Sequence, residues 1–312
     1  MSGDPGTLLL TGGSGFIGRH VTPALAAAGW KVRRALRRPQ GQDDIPVDTI
    51  GPHTDWRQAL AGVDAVVHLA ARVHHPHEEH AIELYRDINV DGTLQLARSA
   101  AAAGVRRFIF VSTILVNGRS TDGRGPFDEG DILTPRGVYG HSKAAAETGL
   151  KAVSESGPLR VTVIRPPLVY GAGAKGNFRL LALAARRGIP LPFASIRNRR
   201  AFLSVENLAS FMVDRLERAD APFEVFVVAD KEQVSTPEFF RRLAKAAGRK
   251  PRLLPLPLPI LGPLLRVSGR VEAHDSVIGS LELDTSRAAS TGWRPPLSLD
   301  EGLRRAMTGG AG

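Results

Sequence analysis

Short apolar runs alternate with longer amphipathic segments along the first half of the chain. Five runs have the length and composition of strands in a buried sheet: 8–10, 31–36, 65–71, 108–113 and 160–164. The segments 89–103 and 139–154 between them have helical length and are rich in alanine. Strands that alternate with helices predict an α/β fold with a doubly wound parallel sheet.

The first strand candidate ends in a glycine-rich turn. Residues 11–18 read Thr-Gly-Gly-Ser-Gly-Phe-Ile-Gly and lead into a helix that ends near Gly29. A strand, such a turn and a helix let the backbone approach a pyrophosphate, whose charge is stabilised by amides at the helix N-terminus. We therefore predict a dinucleotide site in a Rossmann-type domain. Its predicted phosphate contacts are Gly12, Gly15, Phe16, Ile17 and Gly18.

The residues after the second strand candidate bear on which nicotinamide cofactor binds. An acid at this place recognises the ribose 2′-hydroxyl of NAD(H), whereas this chain has Arg37 and Arg38. Guanidinium groups suit the 2′-phosphate of NADP(H), because they form forked, charge-assisted hydrogen bonds. The other interpretation is a solvated charge cluster, since Arg33 and Arg34 lie nearby. We expect NADP(H) to be preferred, with NAD(H) as the alternative.

The regular alternation weakens in the second half. We expect residues 1–170 to form the cofactor-binding domain and residues 171–312 to form a smaller C-terminal lobe. A strand and a helix near 223–247 are predicted to return to the first domain.

Composition narrows the choice of partners. The chain has 312 residues, no cysteine and a formal net charge of +10. The absence of cysteine excludes disulfides, thiolate zinc sites and cysteine nucleophiles. The arginines are spread along the chain without interleaved aromatic residues, which favours a solvated surface with sites for anionic ligands over nucleic-acid binding. The N-terminal residues lack a signal pattern, and we expect a cytoplasmic protein.

The composition of two segments raises the question of a more specific function. Four histidines within 72–80 suggest a metal, but no helical ligand pair accompanies them, so a surface loop near the substrate entrance is favoured and no metal is expected. The proline-rich apolar run 253–261 is too short to span a bilayer. Packing against the core and contact with a lipid surface both remain open for it.

A tyrosine and a lysine share one helical face. Tyr139 and Lys143 are four residues apart, and a neighbouring ammonium is expected to lower the pKa of the phenol. Such a phenol acts as an acid or a base near neutral pH. Thr113 follows a buried strand, at the sheet edge where ligands bind in open α/β folds. We predict these three residues as the catalytic group.

Together these motifs resemble the extended short-chain dehydrogenase/reductase family, in its nucleotide-sugar epimerase/dehydratase branch. The matching segments in the first half are 11–18, 68–71, Asn89 with Gly92-Thr93, Ser112-Thr113, 139–143 and 165–171. Those in the second half are 176–178, 200–209, 284–287 and Gly292-Trp293. The resemblance runs almost from end to end.

The resemblance implies a nucleotide-sugar enzyme, with a C-terminal lobe that binds a UDP-sugar. Hydride moves between the nicotinamide and a sugar carbon, while Tyr139 moves the proton, Lys143 also holds the nicotinamide ribose and Thr113 holds the reacting oxygen. Further implied cofactor contacts are Asp55, Trp56, Leu69, Ala70, Ala71, Asn89, Ser112 and Pro166. The implied substrate contacts are Thr113, Ile114, Asn117, Asn177 and Arg200. A homodimer through the Tyr139 helix and the helix near Leu94 is also expected.

Departures from the family pattern favour one reaction. Ile114 and Leu115 stand where the 4,6-dehydratases have an acid pair, so dehydratase activity is not expected. Asn117 stands where the family has a tyrosine that positions the sugar ring. Arg37 and Arg38 argue against permanently bound NAD. The pattern is most similar to bacterial reductases that convert UDP-4-keto-6-deoxy-N-acetylglucosamine to UDP-N-acetylquinovosamine for surface polysaccharide. The alternatives are a UDP-hexose 4-epimerase, a reductase of a non-sugar ketone and a cofactor-sensing regulator without catalysis.

Overall fold

The apolar run at residues 8–10 forms an inner strand of a seven-stranded sheet in the computed structural model. The model describes residues 6–73, 81–218, 221–261, 275 and 277–309. The described strands are β1 (Thr7–Thr11), β2 (Lys31–Leu36), β3 (Asp44–Pro46), β4 (Ala65–His68), β5 (Arg107–Val111), β6 (Arg160–Arg165), β7 (Leu168–Tyr170), β8 (Phe202–Ser204) and β9 (Phe223–Val227). The order in the large sheet is β3-β2-β1-β4-β5-β6-β9, and β7 pairs with β8 in a separate small sheet.

Helices connect most of these strands. The described α-helices are α1 (Phe16–Ala27), α2 (Arg57–Leu60), α3 (Ile82–Tyr85), α4 (Gly92–Ala102), α5 (Gly137–Glu155), α6 (Gly176–Arg187), α7 (Val205–Arg218), α8 (Thr236–Ala246), α9 (Ser286–Ser290) and α10 (Leu299–Thr308). A π-helical segment, Arg86–Asp91, joins α3 to α4, and a 3-10 turn, Ile114–Val116, follows β5. None of the described helices is long and apolar enough to cross a membrane.

The strand order confirms the predicted doubly wound α/β fold. Strands β1 to β6 pair in parallel, and β1 lies between β2 and β4. The chain therefore reverses its direction of travel across the sheet at β1. Ligands of open α/β sheets bind at the carboxyl ends of the strands beside such a reversal.

One face of this sheet packs against α4 and α5. Leu9 and Phe108 of the sheet share a buried cluster with Leu96 of α4 and Leu150 of α5. Successive side chains of a strand point to opposite faces, so the neighbours of Leu9 face the other side, where α1 contacts β1. Burial on both faces explains why the strands read as continuous apolar runs.

The chain folds into two compact units, and each draws on separate stretches of sequence. The first comprises Met1–Asn117, Ile132–Arg165 and Ala209–Phe226. The second comprises Gly118–Asp131, Pro166–Leu208 and Val227–Gly312. The predicted boundary at residue 170 stays a prediction, and β9 joins the large sheet beside β6.

The second unit has a buried polar centre. The hydroxyl of Tyr170 donates to Asp230 at 2.7 Å, and the other oxygen of this carboxylate accepts from the Ser204 amide and from Asn207 Nδ2. Asn207 also bonds the backbone of Leu297 through both ends of its amide. These bonds hold the turn between β8 and α7 in place. Each buried polar group named here has a hydrogen-bond partner, as is usual in protein interiors.

Some predicted elements end elsewhere in the structure. β4 stops at His68 rather than Ala71, and β5 stops at Val111 rather than Thr113, so the residues beyond them lie in loops. The loops that begin at these points place small side chains and hydroxyl side chains at the carboxyl edge of the sheet. The histidines at 74–80 lie outside the described residues.

Candidate active site

The turn after β1 requires glycine at two positions. Gly12 has a φ of +71°, and a Cβ there would lie 2.7 Å from the backbone nitrogen of Ala70. At Gly18, a Cβ would lie 2.3 Å from the Gly12 carbonyl oxygen. The turn and the first turn of α1 are therefore packed backbone against backbone. Tight turning and close helix packing are roles that glycines have in the strand–turn–helix of a dinucleotide site.

The N-terminus of α1 suits an anion. Gly15 precedes the helix without a side-chain cap, and the first helical turn carries no acidic residue. The amides of Phe16, Ile17 and Gly18 have no intrahelical partner, and the helix dipole favours negative charge at this end. These residues fit the diphosphate of a dinucleotide.

A buried histidine, which the sequence did not identify as functional, connects the strands at this edge. His68 Nδ1 lies 2.6 Å from Thr11 Oγ1, and its Nε2 lies 2.9 Å from Thr93 Oγ1. Thr11 Oγ1 also accepts from the Ala70 amide at 3.3 Å. Burial lowers the pKa of His68 to about 3, so the ring is neutral. It ties the ends of β1 and β4 to α4 beside the predicted cofactor residues Leu69, Ala70 and Ala71.

The four arginines of the β2 region have different environments. Arg34 forms a bidentate pair with Asp44, and Arg33 donates to the carbonyl oxygens of Ala59 and Ala61. Arg37 and Arg38 follow the strand and are exposed, and neither forms an ion pair within the described chain. Two guanidinium groups are thus held by the fold, and two remain available to a ligand.

Tyr139 and Lys143 lie in the first two turns of α5, close to the end of β5. The Lys143 Nζ donates to the Val111 carbonyl oxygen at 2.8 Å and lies 6.0 Å from the centre of the Tyr139 ring. Thr113 begins the 3-10 turn after β5, and its Oγ1 accepts from the Leu115 amide. The Leu115 carbonyl in turn accepts from the Arg136 amide, immediately before α5. The structure therefore brings all three predicted catalytic residues to the carboxyl end of β5.

Burial dominates the acid–base properties of this group. It raises the pKa of the Tyr139 phenol and lowers the pKa of Lys143 to about 7, while Glu147 acts on Lys143 in the opposite direction. The prediction of a lowered pKa for the phenol is wrong for this arrangement, because burial raises the pKa and Tyr85 acts in the same direction. A phenol with a raised pKa keeps its proton at neutral pH and releases it less readily than a free phenol.

A buried ion pair supports the end of β5. Arg165 donates to Glu147 with Nη2 at 2.6 Å and with Nε at 3.1 Å, and both side chains are 5% exposed. The Ser112 hydroxyl donates to the same carboxylate, and Arg165 Nη1 donates to the amide oxygen of Asn117 at 3.2 Å. The pair thus anchors residues 112 and 117 on both sides of Thr113. Glu147 was not predicted from the sequence, although it follows Lys143 by four residues, the same spacing by which Lys143 follows Tyr139.

Several side chains that were predicted to contact ligands are engaged by other residues of the protein. Asn117 and Ile114 are buried, as Thr113 and Lys143 are, and their predicted substrate contacts stay predictions. Asn89 lies in the π-helical segment, where its amide bonds the backbone of Arg72 and the Ser142 hydroxyl. Trp56 is 1% exposed within the apolar cluster. Asp55 lies at the surface, paired with Arg57 at 2.6 Å.

The remaining predicted contacts belong to the second unit. Asn177 is exposed near the start of α6, whose first turn has no acidic residue. Arg200 is buried, and its Nη1 donates to the carbonyl oxygens of Asp275 and Gly279. Burial lowers its pKa to about 10, so it stays charged at neutral pH. Pro166 precedes β7, also in this unit. The described residues contain no cluster suited to a metal ion.

This combination of turn, helix and tyrosine–lysine pair agrees with a comparison across protein families. The model of the NAD dependent epimerase/dehydratase family matches residues 8–229. The chain belongs to the NAD-dependent epimerase/dehydratase family. Membership of this extended short-chain dehydrogenase/reductase family was predicted from the motifs and is confirmed.

Individual members of the family show what the chain is similar to. The UDP-glucose 4-epimerase of Vibrio cholerae is 38% identical over 309 residues, which cover 96% of this chain and 94% of that protein. The structure of RMD from Pseudomonas aeruginosa complexed with NADPH has 25% identity and a TM-score of 0.73. MoeE5 in complex with UDP-glucose and NAD has 25% identity and a TM-score of 0.78. Each structural match covers 97% of this chain and 98% of the other.

These findings establish the class of the protein. It is an enzyme of the extended short-chain dehydrogenase/reductase family, whose members include epimerases and reductases of nucleotide sugars. Within the family, cofactors of both kinds occur in solved structures. A nicotinamide cofactor supplies hydride chemistry when bound, and the catalytic roles predicted for Thr113, Tyr139 and Lys143 stay predictions.

The buried amine of Lys143 gives a prediction about pH. Its pKa of about 7 in the fold lies well below the value of about 10.4 in an unfolded chain, so the unfolded state binds more protons between these values. The wild type therefore gains stability relative to Lys143→Met as the pH rises from 7 to 9, by up to about 1.4 kcal/mol per pH unit.

Urea unfolding of both proteins at several pH values measures this difference. Lys151→Met is the matched control, because Lys151 lies on the same helix with its side chain 59% exposed. Its stability should follow the wild type in parallel. Parallel profiles for Lys143→Met as well would show that the amine titrates normally in the fold.

Proposed function

We propose that the protein is an NADPH-dependent 4-ketoreductase of a UDP-sugar, with UDP-4-keto-6-deoxy-N-acetylglucosamine as substrate and UDP-N-acetylquinovosamine as product. The reaction adds a hydride to sugar C4 and a proton to its ketone oxygen, and NADPH becomes NADP⁺. The product serves surface polysaccharide synthesis, and the enzyme works in the cytoplasm as a homodimer.

The chain's own residues have defined tasks in this reaction. Tyr139 donates its phenolic proton to the ketone oxygen, and Thr113 donates a hydrogen bond to the same oxygen. Lys143 holds the nicotinamide ribose with its amine. Asn177 and Arg200 of the second unit hold the UDP diphosphate. The phenol of Tyr139 carries its proton at neutral pH, as a donor to the ketone oxygen requires.

The observation that carries the proposal is the pair of exposed arginines after β2. Arg33 and Arg34 are engaged by the fold, so the cluster is not simply a solvated group of four charges. Arg37 and Arg38 stand where recognition of the adenosine ribose occurs in this fold, and no acid is available there for a 2′-hydroxyl. A 2′-phosphate satisfies both guanidinium groups. NADPH in turn fits an enzyme that consumes reducing equivalents.

Cofactor consumption tests this assignment. We expect absorbance at the reduced-nicotinamide band to fall in proportion to the keto-sugar added, faster with NADPH than with NADH. The Arg37→Ser/Arg38→Ser variant should raise KM for NADPH by roughly tenfold to a hundredfold, the size expected for lost charge-assisted bonds, and leave KM for NADH nearly unchanged. Arg106→Ser is the control, since this arginine is exposed at the opposite end of β5.

A second candidate is a UDP-hexose 4-epimerase, acting on glucose and galactose or their N-acetyl forms. It is favoured by the Vibrio cholerae relative, which matches 96% of this chain. An epimerase returns the hydride to the other face of the sugar and consumes no cofactor. Interconversion of UDP-glucose and UDP-galactose without loss of NADPH absorbance would establish it and overturn the reductase.

A further inference from the structure

The second unit exposes apolar side chains in two segments that lie side by side. The large apolar residues with exposed side chains there form what we name the apolar patch: Leu180, Leu183, Ile189, Leu254, Leu258 and Ile260. Their exposure ranges from 39% for Leu183 to 56% for Ile260. Isolated exposed leucines are ordinary on a protein surface, but grouped ones mark interaction sites.

Backbone hydrogen bonds join the two segments. The Leu191 amide donates to the Arg252 carbonyl at 3.0 Å, and the Leu254 amide donates to the Leu191 carbonyl at 2.9 Å. Arg249 Nε also donates to the Arg186 carbonyl at 3.2 Å. These bonds place the end of α6 and the residues after it beside the proline-rich run, and the two segments carry the apolar patch.

A small core lies beneath this surface. Phe193, Ile196 and Leu261 are buried together, and Leu181, Leu191, Leu253 and Leu256 pack against them. The proline-rich run thus uses some of its leucines for this core and presents others outward. Packing against the core and an outward-facing apolar surface are both properties of the same segment.

Positive charge predominates in the two segments that carry the apolar patch. Residues 175–200 and 245–260 contain no aspartate or glutamate. Eight exposed cations stand beside the patch in these segments: Lys175, Arg179, Arg186, Arg187, Lys245, Arg249, Lys250 and Arg252. None of them forms an ion pair with a carboxylate in the described part of the chain. A surface of this kind is complementary to a partner that is apolar inside and anionic at its boundary.

The backbone of the run also suits an apolar medium. Pro255, Pro257 and Pro259 have no N–H group to leave unsatisfied. The amides of Leu254 and Ile260 donate to carbonyl oxygens within the chain. Contact with hydrocarbon is costly for unpaired backbone donors, and these five positions of the run present none.

We propose that the apolar patch and its eight cations dock the protein on the surface of a bilayer that contains anionic phospholipid. The leucine and isoleucine side chains enter the boundary between headgroups and acyl chains, and the cations contact lipid phosphates. On α6, Leu180, Leu183 and Arg187 are spaced to share one face, so apolar and cationic contacts occur together. The attachment is peripheral and does not depend on which reaction the enzyme catalyses.

Vesicle flotation with the full chain tests the proposal. The probes are vesicles of phosphatidylcholine alone and of phosphatidylcholine mixed with phosphatidylglycerol. We expect the protein to float with the anionic vesicles at low salt, to dissociate as salt rises, and to stay unbound with the neutral ones. Absence of binding to the anionic vesicles overturns the proposal.

Paired variants separate the two contributions. Leu254→Ser/Ile260→Ser and Arg187→Ser/Lys250→Ser should each lower the partition coefficient by on the order of tenfold. The matched controls lie in the first unit: Ile132→Ser, at 87% exposure, and Arg98→Ser/Arg57→Ser. Thermal unfolding followed by circular dichroism confirms that each variant is folded.

The same variants distinguish a bilayer from other binding partners of the apolar patch. If the serine variants at Leu254 and Ile260 float as well as the wild type, the apolar patch does not enter the lipid and the proposal fails. If, in addition, these variants convert a dimer to a monomer in light scattering, the patch binds a second copy of the chain.

Discussion

Replacing Tyr139 with phenylalanine is expected to lower turnover by about two to four orders of magnitude, the contribution usual for a general acid. The ring remains and fills the same space, so packing around α5 is preserved. The only group lost is the hydroxyl that donates the proton. Steady-state kinetics with keto-sugar and NADPH measures the loss, and fluorescence titration with NADPH should give a dissociation constant close to that of the wild type.

The chain offers a matched control for this experiment. Tyr85 is a buried tyrosine of the first unit, and its hydroxyl donates to the Val73 carbonyl at 3.3 Å. Tyr85→Phe removes a hydroxyl near the site and should leave turnover within a few-fold of the wild type, an expectation for a long and weak hydrogen bond. Comparable losses in both variants would mean that Tyr139 is not the proton donor.

The largest effect on stability is expected at the ion pair between Glu147 and Arg165. Glu147→Ala leaves a guanidinium buried without its carboxylate and removes the acceptor of the Ser112 hydroxyl. Breaking a buried pair from one side costs roughly 3–5 kcal/mol of unfolding free energy. Reversible urea unfolding of the variant against the wild type measures the loss.

A double replacement distinguishes the pair's net contribution from the cost of an orphaned charge. Glu147→Leu/Arg165→Met removes both charges and should be less destabilised than Glu147→Ala, because no buried charge is left alone. Glu155→Ala breaks an exposed pair on the same helix and should change stability by less than about 0.5 kcal/mol. A double variant that is less stable than the single one would contradict this account.

The sequence predicted the framework of the first unit well. The strand at 31–36 has the predicted bounds, and the glycine turn leads into α1 as expected. These features depend on local patterns, namely apolar runs and glycine spacing, which are visible in one chain. The placement of Thr113, Tyr139 and Lys143 follows from the same logic, because strand ends and helical spacing determine it.

Burial was the property that sequence patterns did not reveal. Trp56 and Asn117 were predicted as ligand contacts, yet the structure encloses both side chains. His68 was read only as part of an apolar strand, although its two ring nitrogens connect β1 and β4 to α4. Whether a polar residue faces a ligand or the core depends on neighbours that are distant in sequence.

Short elements were missed for a related reason. Strands β7 and β8 have three residues each, too few for an alternation to be recognised, and the π-helical segment around Asn89 has no distinct periodicity. The β7–β8 pairing joins residues more than thirty positions apart. Its formation depends on tertiary contacts rather than on local preference.

The interleaved path of the chain governs the order in which the protein can be assembled on the ribosome. Strand β9 completes the large sheet beside β6, but the ribosome makes it only after Pro166–Leu208 of the other unit. Until then, the outer edge of β6 has no neighbouring strand, and an unpaired edge readily pairs with another chain. This edge stays unpaired during the synthesis of about sixty residues, an exposure that arises from topology and not from the final stability of the fold.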